Sequence, residues 1–283
     1  MARKVENIIL YHRNCSDGFG AAWAAWKNFG KQAEYIGVNH QEPPPKGLRD
    51  KNVYLVDFSY PVKIIKELLK TTKSLTILDH HITAKPLMKI IPNHRYALNN
   101  SGSVITWKYF HPDKRVPKLL LHIEDFDLWK FKLPNTREVL AWLDRFDQDF
   151  KLWNKLVAKL ENSKLRKEAI NQGRIILGTE EELVEQIVGL AEIVNFEGHR
   201  TLAVNASIFV SQVGNALYKK MPPMGIVWSR RNGKLVVSLR SNKKVDVAEL
   251  AERYGGGGHK QAAGFSMKIK NSRITLPWKY PKK

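Results

Sequence analysis

The sequence predicts an α/β fold: a largely parallel sheet flanked by helices, a helical connector, and a smaller C-terminal α/β lobe. Three observations predict it. Short apolar runs alternate with helix-spaced apolar positions up to about residue 125. Strand-like runs then vanish until about Glu192, and β-branched runs return after Gly198. The expected divisions are therefore 1–125, 126–197 and 198–283.

Ile8-Ile9-Leu10-Tyr11 reads as the first strand. It runs into His12-Arg13-Asn14-Cys15-Ser16-Asp17-Gly18, and an Ala/Trp-rich helix follows over Ala21–Trp26. Asn39 to Asp50 contains Pro43-Pro44-Pro45 and reads as a loop. Val53-Tyr54-Leu55-Val56 is a second strand ending in Asp57, and Val62–Leu69 is an amphipathic helix. Leu75-Thr76-Ile77-Leu78 is a third strand, ending in Asp79-His80-His81. Val139-Leu140, Trp142-Leu143 and Phe146 recur at helical spacing, as do Leu183, Ile187, Leu190 and Val194. In the last segment the strands are Thr201–Val204, Gly225–Trp228 and Leu235–Leu239. The helix Val247–Tyr254 follows, with Asp246 as its N-cap.

Each of the three early strands ends in Asp or His. In a parallel sheet these ends converge on one edge, where open α/β sheets bind their ligands. Carboxylates gathered there repel one another unless a cation neutralises them. Oxygen and imidazole donors suit Mn²⁺ or Mg²⁺ better than a soft metal. Two ions sharing one carboxylate would make a two-metal hydrolytic centre. The plainer alternative is a set of polar turns.

The 283 residues, 43% of them hydrophobic, suffice for two ordinary cores. One cysteine rules out an internal disulfide framework and fits a reducing cytoplasm. Met1-Ala2-Arg3-Lys4 leads straight into the first strand, and no run of about 18 apolar residues occurs. A soluble, cytoplasmic protein without membrane contact is the expectation. The net charge is +20, and from Arg200 onward 17 Lys and Arg face only Asp246, Glu249 and Glu252. Such a basic segment attached to an acidic metal site points to a polyanionic substrate, held by one part and cut by the other. A lysine-rich solvated surface is the alternative.

Gly255-Gly256-Gly257-Gly258-His259-Lys260 follows a helix, not a Ser-rich tract, so it reads as more than a linker. Its amides can turn inward around an anion, with His259 and Lys260 as added donors. Arg240 can add a bidentate phosphate contact.

Together, Asp79-His80-His81, the upstream Asp57 and the Gly255–His259 run resemble the DHH/DHHA1 phosphoesterase superfamily over nearly the whole chain. Ser238-Leu239-Arg240-Ser241 also resembles its second domain. The resemblance implies a DHH lobe holding two divalent ions, Mn²⁺ first with Mg²⁺ or Co²⁺ as alternatives. It also implies a DHHA1 lobe holding substrate through Arg240, Ser241, Gly255, Gly256, Gly257, Gly258, His259 and Lys260. Asp57 would bridge the ions, His80 would ligate one, Asp79 would orient an imidazole, and His81 would face the scissile phosphate. The fourth motif, a carboxylate after a strand, falls at His122–Trp129; Asp125 aligns best and Asp127 stays open. Trp23 and Trp26 read as core, and Trp129 as packed beneath that motif. The first motif departs from the family: Asp17 is present, but Cys15 stands where a first aspartate is usual. Cys15 is then either a ligand or a bystander while His12 and water complete the site.

The resemblance thus implies a metal-dependent hydrolase of short oligonucleotides or another phosphate-rich small substrate, as a monomer or homodimer. Cyclic dinucleotides, 3′-phosphoadenosine 5′-phosphate and polyphosphate are alternative substrates. A nucleic-acid-binding module with a decayed metal site is the alternative from another class.

Overall fold

The computed structural model describes residues 5–39, 42–242, 244–269 and 275–281. Met1–Lys4, read above for a leader, lie outside them, as do five of the basic C-terminal residues: Lys243, Lys270, Arg273, Lys282 and Lys283. The chain is α/β and divides into two units, 1–177 and 178–283.

The first unit is built on five parallel strands: β1 (Asn7–His12), β2 (Ala33–Val38), β3 (Asn52–Val56), β4 (Ser74–Asp79) and β5 (Asn93–Tyr96). Their order is β2-β1-β3-β4-β5. The three strands legible in the sequence, β1, β3 and β4, are the interior ones. Interior parallel strands are apolar on both faces, because helices cover both. Ile8, Leu10, Val53, Leu55, Leu75 and Ile77 face α2 (Val62–Thr71) through its buried Ile65 and Leu68. Ile9, Val56 and Leu78 face Ala21 and Ala25 of α1 (Ser16–Phe29) and Ile105 of α3 (Gly102–Phe110). The edge strands β2 and β5 escape a reading by apolar runs. They are Ala-Glu-Tyr-Ile-Gly-Val and Asn-His-Arg-Tyr, and each has only one strand neighbour to bury it.

Where the fourth motif calls for a strand, the chain instead forms α4 (Lys118–Asp127). Pro117 precedes its first turn, and Leu119, Leu120 and Ile123 recur at helical spacing to fill the core beside Phe19, Trp23 and Trp107. The helices α5 (Thr136–Leu143) and α6 (Phe150–Glu161) complete that core with Trp142 and Trp153. Much of the stretch read as a connector thus belongs to the first unit's own core. The division falls within α7 (Ser163–Gly189).

The second unit holds β6 (Glu192–Phe196), β7 (His199–Asn205), α8 (Val210–Lys220), β8 (Met224–Arg231), β9 (Lys234–Ser241), α9 (Val247–Glu252), β10 (Gly257–His259) and β11 (Ala262–Lys268). Its mixed sheet runs β10-β11-β9-β8-β7-β6, with only β7 and β8 parallel. Asp246 caps α9 as expected, accepting from the amides of Ala248 and Glu249. No helix among the described residues is long and apolar enough to cross a membrane.

Candidate functional site

The C-terminal ends of β1, β3 and β4 deliver their polar residues to one place. Asp57 leaves β3 in the left-handed region, φ 61°, with its amide bonded to Leu78. Its carboxylate packs against Gly102; a Cβ there would sit 2.5 Å from Asp57 Cβ. Asp17, in the first turn of α1, is buried, and its oxygens accept from the amides of Gly102 (2.6 Å) and Ser103 (3.0 Å). The start of α3 thus steadies a negative charge with two otherwise unpaired amides. Apolar periodicity does not reveal this anchor, although Asn100-Ser101-Gly102-Ser103 carries an N-cap signature.

Asp57 occupies the centre. Its Oδ2 lies 3.9 Å from His12 Nδ1 and its Oδ1 lies 3.3 Å from His80 Nε2. His80 Nε2 is also 3.5 Å from Asp127 Oδ2 and 3.9 Å from Asp17 Oδ2. Two donor groups result, His12–Cys15–Asp57 and Asp17–His80–Asp127, each with ligand atoms within 4.8 Å of one another. Asp57 belongs to the first and touches the second through His80. A third group, Asp57–Asp79–His80–His81, overlaps both.

The electrostatics show what this cluster lacks. Burial pushes the Asp57 carboxyl well above the usual range, and the charges of Asp17, Cys15 and Asp127 push it further. Asp127 is pushed up to about 7, by burial first and by Asp17 second. Burial likewise raises the Cys15 thiol and lowers the His80 imidazole, leaving a neutral nitrogen. Asp57 Oδ1, Asp79 Oδ2 and His80 Nε2 are buried without a hydrogen-bond partner. Buried polar atoms are ordinarily paired, so the orphaned Asp57 Oδ1 and His80 Nε2, 3.3 Å apart, make a place that could hold a cation. The donor set is one thiol, imidazoles and carboxylates, which fits divalent first-row ions.

Asp79 has a different task. It is fully buried, and its Oδ1 accepts from the amides of His80 (2.7 Å) and His81 (3.1 Å) and meets His81 Nδ1 at 2.7 Å. That hydrogen bond, opposed by burial, raises the His81 pKa and favours an imidazolium at the cluster's edge.

Of the two fourth-motif aspartates, the structure brings Asp127 to the cluster and not Asp125. Asp125 is buried on the other side of α4. It accepts from the amides of Lys132 (2.8 Å) and Leu133 (3.1 Å) and from Thr136 Oγ1 (2.6 Å). With its proton given to Asp125, the Thr136 hydroxyl accepts from His122 Nδ1 at 3.0 Å. Burial works against the Asp125 charge, but these bonds outweigh it and lower the pKa. Trp129 is also displaced from its expected place: it is 75% exposed, not packed beneath the motif.

In the second unit the glycine run is only partly a loop. Gly255, at φ 74°, follows α9, and Gly257-Gly258-His259 is the edge strand β10. A Cβ on Gly256 would strike Gly264 and Phe265, and one on Gly258 would come within 2.6 Å of Ala262 O. These two glycines serve close backbone approach. His259, Ala262 and Arg240 pair in register across β10, β11 and β9. Paired antiparallel residues share a face, which puts His259 and Arg240 roughly 10 Å apart along one row. Arg240 is half-buried and donates to Ser211 Oγ at 2.8 Å, and Lys260 is exposed. Ser241 faces the other way: it is buried and its hydroxyl donates to Val245 O at 2.8 Å.

Similarity to known proteins agrees with both units. The DHHA1 domain family matches residues 188–274. The uncharacterized protein R106 of Acanthamoeba polyphaga mimivirus is 32% identical over 286 residues, 92% of this chain and 67% of that protein. The oligoribonuclease NrnB of Bacillus subtilis (strain 168) is 23% identical over 310 residues, 91% and 72% of the two chains. Among solved structures, the pGpG-specific phosphodiesterase PggH from Vibrio cholerae shares the fold, with a TM-score of 0.55, 15% identity and 94% of each chain covered. The second sheet thus carries a recognised domain, and two relatives match over more than nine-tenths of the chain. The chain belongs to the DHH/DHHA1 phosphoesterase superfamily.

Proposed function

We propose that this chain is a two-metal phosphodiesterase that hydrolyses short oligonucleotides. The observation that carries the reading is Asp57, whose two oxygens face separate donor groups, His12–Cys15 on one side and His80 with Asp17 and Asp127 on the other. Such a carboxylate can serve two cations at once. In this reading His12, Cys15 and Asp57 hold one ion, and Asp17, Asp57, His80 and Asp127 hold the other. Mn²⁺ is the first choice and Mg²⁺ or Co²⁺ the alternatives. When bound, the ions supply Lewis-acid activation of water and neutralise charge on the phosphate oxygens.

The chain's own residues do the rest. Asp57, Asp17 and the neutral His80 fix the donor geometry before substrate arrives, so little reorganisation is needed. His81, held by Asp79 and with its protonated form favoured by that contact, would offer its Nε2 proton to a phosphate oxygen or to the leaving oxygen. Asp79 is a positioning residue in this scheme. Arg240 and His259, on one face of the second sheet, bind a substrate phosphate, with Lys260 adding charge nearby. Ser241 shapes the turn before Val245 and is not a direct ligand. The name of the Bacillus subtilis relative, an oligoribonuclease, supports short RNA as the substrate class.

A substrate panel with purified protein and Mn²⁺ tests the reading. Mononucleotide release from di- to pentanucleotides, exceeding turnover of long strands, cyclic dinucleotides and polyphosphate, is the expected result. Turnover of polyphosphate or cyclic dinucleotides alone would overturn it, as would full activity after replacing both Asp57 and His80.

A further inference from the structure

The end of α4 that supplies Asp127 carries a second feature, one the hydrolytic scheme leaves unused. Phe126, Trp129 and Phe131 flank Asp127 in the chain, and all three rings are exposed. They form one cluster. Trp129 and Phe131 meet edge to face with centroids 4.8 Å apart, and Phe126 lies 6.1 Å from the first and 5.8 Å from the second. Single exposed apolar side chains are ordinary, but three touching rings beside a metal-competent carboxylate are not.

The backbone is held so that the rings stay outside. Trp129 and Phe131 both lie in the left-handed region, φ 53° and 46°, where bulky L-residues are seldom found. Strain of this kind persists only where the surroundings impose it, and it gathers at functional sites. Here the surroundings are plain. The Asp125 carbonyl accepts from the amides of Lys130 and Phe131, and its carboxylate accepts from those of Lys132 and Leu133. Lys130 Nζ donates to Asn99 O at 2.8 Å and ties the turn to the start of α3. The buried Asp125 is thus the anchor of a turn that displays aromatic rings.

We propose that Phe126, Trp129 and Phe131 form a stacking platform for a nucleobase of the substrate whose phosphate lies at the Asp57 cluster. This rests on the phosphodiesterase reading and narrows its substrate class to phosphoesters that carry bases. Asp127 faces the cluster while its neighbours present rings, so one short segment serves both the charged and the flat part of a nucleotide. Exposed Lys132 adds a cation at the rim. Three partly exposed rings fall well short of the roughly 800 Å² per partner that a stable protein interface buries, whereas a single base can stack on the face of the most exposed ring, Trp129, with the Phe131 ring edge-on and the Phe126 ring tilted beside it. Stacking uses the π-face common to all bases, so the platform selects for bases without choosing among them.

The test compares a dinucleotide with its abasic analogue in the wild type, Trp129→Ala and Trp129→Phe. The ratio of the two kcat/KM values should fall roughly 5- to 100-fold in Trp129→Ala, through KM, and stay within about threefold in Trp129→Phe. An unchanged ratio in Trp129→Ala would overturn the proposal. A second readout is independent of turnover: AMP, but not ribose 5-phosphate, should quench wild-type tryptophan fluorescence, because Trp129 is by far the most exposed indole. Equal or absent quenching by the two ligands would also overturn it, even if hydrolysis is seen. Quenching by AMP alone in a protein that hydrolyses nothing would leave the platform standing and remove the phosphodiesterase reading. Dissociation of a dimer by Trp129→Ala, with nucleotide affinity unchanged, would assign the rings to contact between copies and overturn it.

Discussion

Asp125 and Asp127 lie two residues apart at the end of one helix, and their surroundings differ in the way that separates a structural carboxylate from a ligand. Asp125 is saturated: two amides and a hydroxyl meet its oxygens, and its pKa is lowered. Asp127 faces His80 and Asp17, is pushed up to about 7, and joins a cluster whose buried Asp57 and His80 atoms lack partners. Hydrogen bonds complete the first region; the second needs positive charge. A motif carboxylate is therefore assigned by what its oxygens already hold, not by its place in the motif.

The largest effect should come from emptying the unsaturated region of its central oxygen. Asp57→Asn should lower kcat/KM by at least about 10³-fold in the presence of divalent ions. Its metal-free form should be no less stable than the wild type, since the change relieves repulsion among Asp17, Asp57 and Asp127. Steady-state rates and thermal melts in chelator check both halves.

The saturated region should respond the opposite way. Asp125→Ala leaves the Lys132 and Leu133 amides and the Thr136 hydroxyl without their acceptor, at a cost of about 3 kcal/mol in stability. Urea denaturation measures it. Ion binding by the folded variant should stay close to wild type, and a large loss of ions would blur the contrast between the two regions.

Cys15 sharpens the comparison within the cluster itself. With Co²⁺ bound, the wild type should show thiolate-to-metal charge-transfer absorption in the near ultraviolet. Cys15→Ser should lose that band and bind its first ion about 10- to 100-fold more weakly. An unchanged spectrum would make Cys15 a bystander and leave His12 and water to complete the site.

The smallest effect is on pH dependence. Between the ordinary aspartate value of 3.8 and about 7, the folded chain keeps a proton on Asp127 that the unfolded chain has released. Stability from this group is present at low pH and lost as pH rises through about 7. Metal-free Asp127→Asn should therefore show a shallower fall in stability over that window than the wild type. A parallel pair of pH profiles would contradict the assigned environment.

How much of this was legible in the sequence follows from where each residue is buried. Strands β1, β3 and β4 announce themselves because both faces are covered, and the same runs place Asp57, Asp79 and His80 at one edge. The edge strands β2 and β5 carry too few apolar residues to be seen. The order of Asp125 and Asp127 was not legible. Two positions on a helix differ by about 200° in direction, and only the packing of α4 on the core decides which side faces the cluster. The glycine run was half legible: its need for close backbone approach is real, but β10 uses it as an edge strand. Trp129 was misplaced because a tryptophan in an apolar helix end ordinarily packs inward, and only the left-handed turn after Asp127 keeps it out.

The most direct test of the central claim, a two-ion centre joined by Asp57, is to count ions. After equilibration with Mn²⁺ and removal of free metal, elemental analysis should find two ions per chain in the wild type and in Asp125→Asn, and fewer than one in Asp57→Asn. Two ions retained by Asp57→Asn, or none held by the wild type, would contradict the account.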